Sequence, residues 1–342
     1  MSTEVLKPNT RKYNFVSSLK VSLSVILIIM LGFSIMLLFL FDKNNKVVEH
    51  DQNAQMFSIH QIINSTIDHA EKIVLAESAL ISLKSDIPLA LKEEDYDKLK
   101  ELSSTSYDYL KKYNSVNILG FHNTDMDYVI RLHNLKKSGD NMALTRPMIL
   151  AANKSRRSQT GLEIGVTGLV SIRGISIVKD QDDFVGTVEV GMLLNPILEQ
   201  VKNLTNADIA IILKSKYVNN SKKSNDQAIF GDLALSLSTD NQLFSRLLRE
   251  DLLSLTRDIK VKKAKFKGIQ YGLLSQPLTS FNGEVIGILS IVSDFSWHQK
   301  NNQEIYTDLI VIALCFSIIA FIIFSILLLM SSTPVKLTEK EL

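Results

Sequence analysis

The sequence predicts an α+β protein in which two transmembrane helices flank an extracytoplasmic long helix and two tandem modules with antiparallel sheets. Three observations predict it. Val21–Phe41 and Leu309–Met330, near the two ends of the 342-residue chain, are uncharged and apolar, and each matches the ~20 residues a bilayer-spanning helix needs. Thr160–Met192 (TGLEIGVTGLVSIRGISIVKDQDDFVGTVEVGM) reads as a three-strand meander, because apolar residues alternate and turns are polar or glycine-bearing. The pattern VGTVEV at Val185 returns as IGILSI at Ile286, each after a polar turn and a long strand, which marks a weak internal repeat of one helix-plus-sheet unit.

Lys7, Arg11, Lys12 and Lys20 precede the first span and only Glu4 opposes them. The positive-inside rule therefore puts residues 1–20 in the cytoplasm. Residues 21–41 form an uncleaved anchor, since the apolar run is too long for a signal peptide and no small-residue cleavage site follows. Residues 42–86 form one long extracytoplasmic helix, with Met56, Ile59, Ile63, Ile67, Ala70, Val74 and Ile81 spaced by threes and fours, stopped by Pro88. This stripe either buries against its own domain or carries part of a dimer seam, and a homodimer is the expected assembly.

A first module occupies 87–206. Glu94–Tyr113 is helical, Val116–His122 and Tyr128–His133 form a hairpin across Asn123–Asp127, and Asn134–Asn141 is a loop. Arg146–Ser155 is a helix with Pro147 at its first position. The strands Gly161–Val166, Leu169–Val178 and Phe184–Met192 follow, then the helix Asn195–Asn206. A second module occupies 207–305: strand Ala207–Val218, polar excursion Asn219–Asn241, helix Leu243–Leu255, and strands Ile259–Lys267, Ile269–Pro277 and Val285–Ser293. A short helix, Ser293–Ile305, leads to the second span at 309–330, and 331–342 returns to the cytoplasm.

Arg131-Leu132-His133, Gly139-Asp140, Arg146-Pro147, Ala151, Gly161-x-Glu163-x-Gly165, Gly168, Arg173-Gly174 and Gly186-x-x-Glu189-x-Gly191 resemble a double Cache sensory domain, the PAS-like extracytoplasmic sensor of bacterial chemoreceptors, sensor kinases and diguanylate cyclases. The resemblance covers roughly 43–300 and is strongest in the first module. Met126 departs from it, standing where the family usually has glycine. The resemblance implies that the first module is membrane-distal and the second membrane-proximal. It also implies that a small ligand is detected outside, in the periplasm or beyond the bacterial inner membrane, and that a signal passes through the spans. Thr333–Glu339 resembles the opening of a HAMP linker, with no output domain after it.

Charges placed inside strands mark the candidate site. Arg131, His133, Glu163, Arg173 and Glu189, together with Arg146, are read as converging over one side of the distal sheet. Along Tyr128–His133, strict alternation puts Val129, Arg131 and His133 on one face and Tyr128, Ile130 and Leu132 on the other. Arginine suits bidentate carboxylate binding, so the ligand is expected to be a small anion or zwitterion. The competing reading is a set of internal Arg–Glu pairs that only holds the module in shape.

A net charge of +2 with dispersed Lys and Arg gives no basic stripe, and no nucleic-acid partner is expected. The single cysteine, Cys315, lies in the second span, so the external domain folds without disulfides. His60, His69, His122 and His133 have no metal-ligand spacing, and no metal or cofactor is expected. No nucleophile elbow or phosphate loop is present, so enzymatic activity is not expected. The function these features imply is a transmembrane sensory receptor, with a membrane-tethered adaptor that binds a protein partner as the alternative.

Overall fold

The computed structural model describes residues 10–165, 169–218 and 229–332. Val166, Gly168, Glu4 and Lys7, Thr333–Glu339 and residues 219–228 of the 219–241 excursion lie outside the described residues. Two compact units result, residues 1–52 with 296–342, and residues 53–295.

The first unit pairs the N-terminal part of helix α1 (Thr10–Ser82) with helix α7 (Ser296–Ser332). Phe33 and Phe316 stack with ring centroids 4.0 Å apart, Phe41 packs against Tyr306 at 5.0 Å, and Asn44 and Asn302 share a hydrogen bond. Both helices are long and apolar enough to cross a membrane. Leu27, Leu31, Leu38, Ile319 and Phe321 point outward, an apolar surface that hydrocarbon suits. The long helix expected over 42–86 and the short helix expected over 293–305 are not separate from the spans, since each merges with its span into one continuous helix.

In the second unit α1 buries the whole predicted stripe, from Met56 to Ile81, in the unit's own core. The helix ends at Ser82, not at Pro88. Pro88 instead lies in the first turn of α2 (Asp86–Lys92), where its missing N–H would have no helical acceptor anyway. Helix α3 (Tyr96–Tyr113) starts at Asp95, whose carboxylate accepts from the Lys98 N–H at 2.9 Å, an ordinary N-cap.

The sheet of the first module, labelled distal after the expectation above, contains β1 (Val116–His122), β2 (Tyr128–Arg131), β3 (Gln159–Ile164), β4 (Val170–Asp180) and β5 (Asp183–Leu193), ordered β2-β1-β5-β4-β3 and antiparallel throughout. The β1–β2 turn holds Met126 at φ +66°, the left-handed region that explains the family's glycine there, while the Asn123 side chain accepts from Asp125 and Asp127 N–H groups. One face of the sheet packs on α1, through Leu119, Phe121, Ile172, Val188 and Val190. The other is covered by α4 (Pro147–Ser155), with Tyr128, Met148, Ile149 and Ile175 between them.

Helix α5 (Asn195–Thr205) leads to the proximal sheet: β6 (Asp208–Lys214), β7 (Ile229–Phe230), β8 (Leu233–Ser238), β9 (Lys260–Phe266), β10 (Ile269–Thr279) and β11 (Val285–Asp294). Its order is β7-β8-β6-β11-β10-β9. Two expectations fail here. The excursion expected at 219–241 contains β7 and β8, because LALSLS is short and serine-rich but still alternates. The helix expected over 243–255 is α6 (Asn241–Arg249), cut short where Asp251 adopts φ +52°. Leu253 then folds back into the core between α6 and the sheet.

Apart from the added edge strand β7, the two sheets share one order, with β6, β11, β10 and β9 standing where β1, β5, β4 and β3 stand in the first. The repeated glycines sit at equivalent places. A Cβ on Gly186 would lie 2.2 Å from the His122 carbonyl oxygen in β1, and one on Gly287 2.1 Å from the Ile212 carbonyl oxygen in β6. The modules also touch directly, since the Phe281 N–H donates to the Leu162 carbonyl at 2.8 Å.

Candidate functional site

Alternation along the distal strands sends Val188 and Val190 to α1 and leaves Thr187 and Glu189 on the opposite face. Arg173 on β4 and Glu163 on β3 share that face. Arg146 reaches it from the residue before α4. Its Nε donates to Glu163 Oε2 at 2.7 Å and its Nη2 to Glu189 Oε1, while Arg173 donates to the same Glu189 oxygen and, at 2.7 Å, to Ser171 Oγ. The Met148 N–H, in the first turn of α4, adds a 2.9 Å bond to Glu163 Oε1. All four charged groups are buried, so they form one dry, charge-balanced chain, Glu163–Arg146–Glu189–Arg173.

Arg131 lies on the same face but has its own partners. It forms two bonds to Asp140, at 2.5 and 2.9 Å, donates to the Lys137 carbonyl at 2.9 Å, and stacks over the Tyr128 ring at 3.7 Å. The pair holds the Asp140 carboxyl below its ordinary range. His133 stands at the margin, with Nδ1 3.3 Å from the Leu119 carbonyl, and burial lowers its imidazole. Arg146, Glu163, Arg173 and Glu189 thus meet in one network, whereas Arg131 and His133 border it.

Two further residues belong to the site. The β1–β2 register runs Gly120↔Arg131, Phe121↔Ile130, His122↔Tyr128, with a bulge. Val129 is the extra residue, and one extra residue reverses the alternation after it. Tyr128 and Arg131 therefore share the site face, correcting the expected split between them. His122, considered in the sequence only as a metal ligand, is fully buried beside Glu189, with Nε2 to Oε2 at 3.8 Å and Nδ1 3.1 Å from Thr187 Oγ1. The signal for Tyr128 was Gly120: a Cβ there would lie 2.6 Å from the Tyr128 hydroxyl and 2.5 Å from the Ile130 carbonyl oxygen. Among the described residues no three His, Cys, Asp or Glu side chains are grouped to hold a metal.

Burial sets the protonation states. It pushes the His122 imidazole down to about 3, against the pull of Glu189 and with the help of Arg146, Arg131 and Arg173. Burial alone would raise Glu189, but Arg146 and Arg173 override it and hold the carboxyl well below its usual range. Tyr128 is raised well above its usual value, chiefly by burial. An unfolded histidine titrates near 6.5, so between that pH and about 3 the unfolded chain holds the extra proton. Stability on this account is intact above about pH 6.5 and falls with acidification by about 1.4 kcal/mol per pH unit. Glu189 adds a loss below about pH 4.5, where the unfolded carboxyl begins to take up its proton. His122→Gln is expected to flatten the acid slope of melting temperature between about pH 6 and pH 5, with His133 supplying the remainder. An unchanged slope would mean that His122 is hydrated.

Residues 49–297 match the family described as a double sensory domain of two-component sensor kinase. Solved structures similar to this chain include the ligand-binding domain of the Campylobacter jejuni chemoreceptor Tlp3 in complex with L-valine, at 10% identity and TM-score 0.46, covering 76% of this chain and 98% of that one. Another is the Vibrio cholerae histidine kinase DctB sensor domain, at 14% identity and TM-score 0.45, covering 74% and 98%. A third is the periplasmic domain of Vibrio cholerae LuxQ, at 13% and 0.40, covering 70% and 99%. No curated protein matches by sequence. The family match spans both sheets and the site between the distal sheet and α4, and the chain belongs to this double Cache family of sensory domains.

Proposed function

We propose that this chain is the sensing part of a bacterial inner-membrane receptor, in which the distal module binds a small extracytoplasmic ligand and passes a conformational signal along α1. One observation carries the reading: six polar side chains, Glu163, Arg146, Glu189, Arg173, His122 and Tyr128, are buried together on the sheet face away from α1. Ion pairs in such a place return little stability over apolar packing, which favours recognition over mere support. The family is a sensory ligand-binding one, and the role proposed is non-catalytic. The Tlp3 domain is described with L-valine and isoleucine, so a ligand of that size suits the present chain.

A route for the signal runs through β4. Arg173 faces the site while the next residue, Gly174, faces the helix, where a Cβ would lie 2.5 Å from the Val74 and Leu75 backbone. Ser176 reinforces the contact through its hydroxyl, 2.8 Å from that of Ser78. A shift of β4 on ligand binding is therefore transmitted to α1 with almost no slack, and α1 continues as one helix to Thr10. The two candidate spans that flank the sensory modules support this reading.

Hydrogen exchange on the full chain in detergent, with and without a metabolite that raises its melting temperature, tests this. Slower exchange is expected in residues 116–122 and 183–193, with smaller changes in the α1 segment around Val74. Protection confined to 208–214 and 269–294 would assign sensing to the proximal module and contradict the reading.

A further inference from the structure

Gly161, Leu162 and Glu163 are consecutive in β3, and each meets a different partner. The Glu163 carboxylate, on the site face, accepts from Arg146 Nε and from the Met148 N–H. The Leu162 carbonyl, at the open edge of the sheet, accepts from the Phe281 N–H at 2.8 Å. Gly161 has no side chain, and the place a Cβ would take is bordered by the Phe281 ring at 3.3 Å and the Met148 methyl at 3.6 Å. Phe281 is half-buried there, against the cluster of Tyr128, Met148, Ile149 and Ile175 that joins α4 to the first sheet. The contacts close a ring, from Phe281 to Met148, from Met148 to Glu163, and back through Leu162 to Phe281.

Phe281 belongs to the second module, in the turn between β10 and β11, and residues of that module hold the turn. The Ser280 N–H donates to the Glu284 carbonyl and the Gly283 N–H to the Ser280 carbonyl, both at 2.9 Å, with Gly283 at φ +81°. The Glu284 carboxylate accepts from Lys216 at 3.0 Å and from the Tyr217 hydroxyl. Asn282 and Gly283 are exposed, so the tip turns one apolar side chain to the first module. From this turn β11 passes through Leu289 and Ile291, in the core shared with α1, to Asp294, and α7 begins at Ser296.

Modules can be joined by contacts anywhere along their border. This one falls on the strand that carries Glu163 and on the first turn of α4, next to Arg146, so it bears on the two elements that set where the Glu163–Arg146 pair lies. We propose that Phe281 is a positioning residue that the second module supplies to the first module's site, and that it couples the state of that site to β11 and so to α7. The positioning role stands on the contacts themselves. The coupling of a ligand signal rests on the reading that the distal module senses, and it adds to the α1 route a second one, into the other candidate span.

Hydrogen exchange on the full chain in detergent tests the proposal without a ligand. In Phe281→Ala, residues 148–152 and 159–164 are expected to exchange at least about ten-fold faster, while 208–214 and 285–294 keep the parent's rates. Phe281→Leu, which keeps an apolar side chain over Gly161, is expected to restore most of the protection. Faster exchange confined to the second module's own strands, or unchanged exchange at 148–152 and 159–164, would overturn the proposal, since the ring would then serve only its own hairpin. Coupling between two places is reciprocal. Glu163→Gln is therefore expected to speed exchange at 279–285, and to do so less in a chain that already carries Phe281→Ala. Equal effects of Glu163→Gln with and without Phe281, or none at 279–285, would contradict the coupling. If Phe281→Ala loosens 148–152 and 159–164 while a stabilising metabolite protects only the proximal strands, the sensing reading fails and the positioning role stands.

Discussion

Glu189→Ala is expected to destabilise the sensory unit by about 3–5 kcal/mol, because it leaves buried charge without its partner. Arg146 and Arg173 both donate to the lost oxygen. Arg146 keeps Glu163, but Arg173 keeps only the neutral Ser171 hydroxyl. Glu189 is completely buried, so bulk solvent does not screen the charges left behind. The matched control is Ser290→Ala. Ser290 holds the equivalent place in β11, and its hydroxyl is buried with no partner among the described residues. Removing it costs less than about 1 kcal/mol, the net worth of an ordinary hydrogen bond being of that order. Chemical denaturation of the full chain reads both variants. If Glu189→Ala unfolded within about 1 kcal/mol of the parent chain, the network would have to be solvated, and the dry site would not exist.

Gly186→Val and Gly287→Val are expected to be at least as damaging, each by more than about 3 kcal/mol. At both places the new Cβ would overlap a carbonyl oxygen of the neighbouring strand, His122 in β1 or Ile212 in β6. A backbone oxygen held in a central ladder cannot turn aside as a side chain can. Gly186 carries a second obstacle in its φ of +149°, which L side chains rarely adopt. Gly139→Ala is the contrast, with φ +81° but open space around the site. There only the backbone term remains, about 1 kcal/mol or a little more. Thermal melting of the three variants would rank them, and a Gly186→Val chain that melts like its parent would contradict the β1–β5 register.

Much of this architecture was legible in the chain because burial writes a period into it. The stripe from Met56 to Ile81 and the alternation in β4 and β5 each follow from one face meeting one core. Where two influences competed, the reading failed. Leucines continue at helical spacing through Leu252 and Leu255, yet Asp251 turns the chain, Leu253 enters the core beside a half-buried Leu252, and Leu255 is left exposed. Pro88 reads as a stop but falls where a helix tolerates it. In the site, Arg146, Glu163, Arg173 and Glu189 stood out as charges at strand or cap positions. Tyr128 did not, because the bulge at Val129 reverses its side. The role of Asp140 was equally hidden, since its pairing with Arg131 depends on how the 134–141 loop folds back.

The most direct test of the central claim, that sensing takes place on the distal sheet, compares one strand position in the two modules. Calorimetric titration of an activating ligand into the full chain, into Glu189→Gln and into Ser290→Ala, each retaining cooperative melting, isolates it. At least a ten-fold loss of affinity is expected for Glu189→Gln, about 1.4 kcal/mol or more, with Ser290→Ala unchanged. Unchanged binding in Glu189→Gln together with a loss in Ser290→Ala would place the ligand on the proximal sheet and contradict the account.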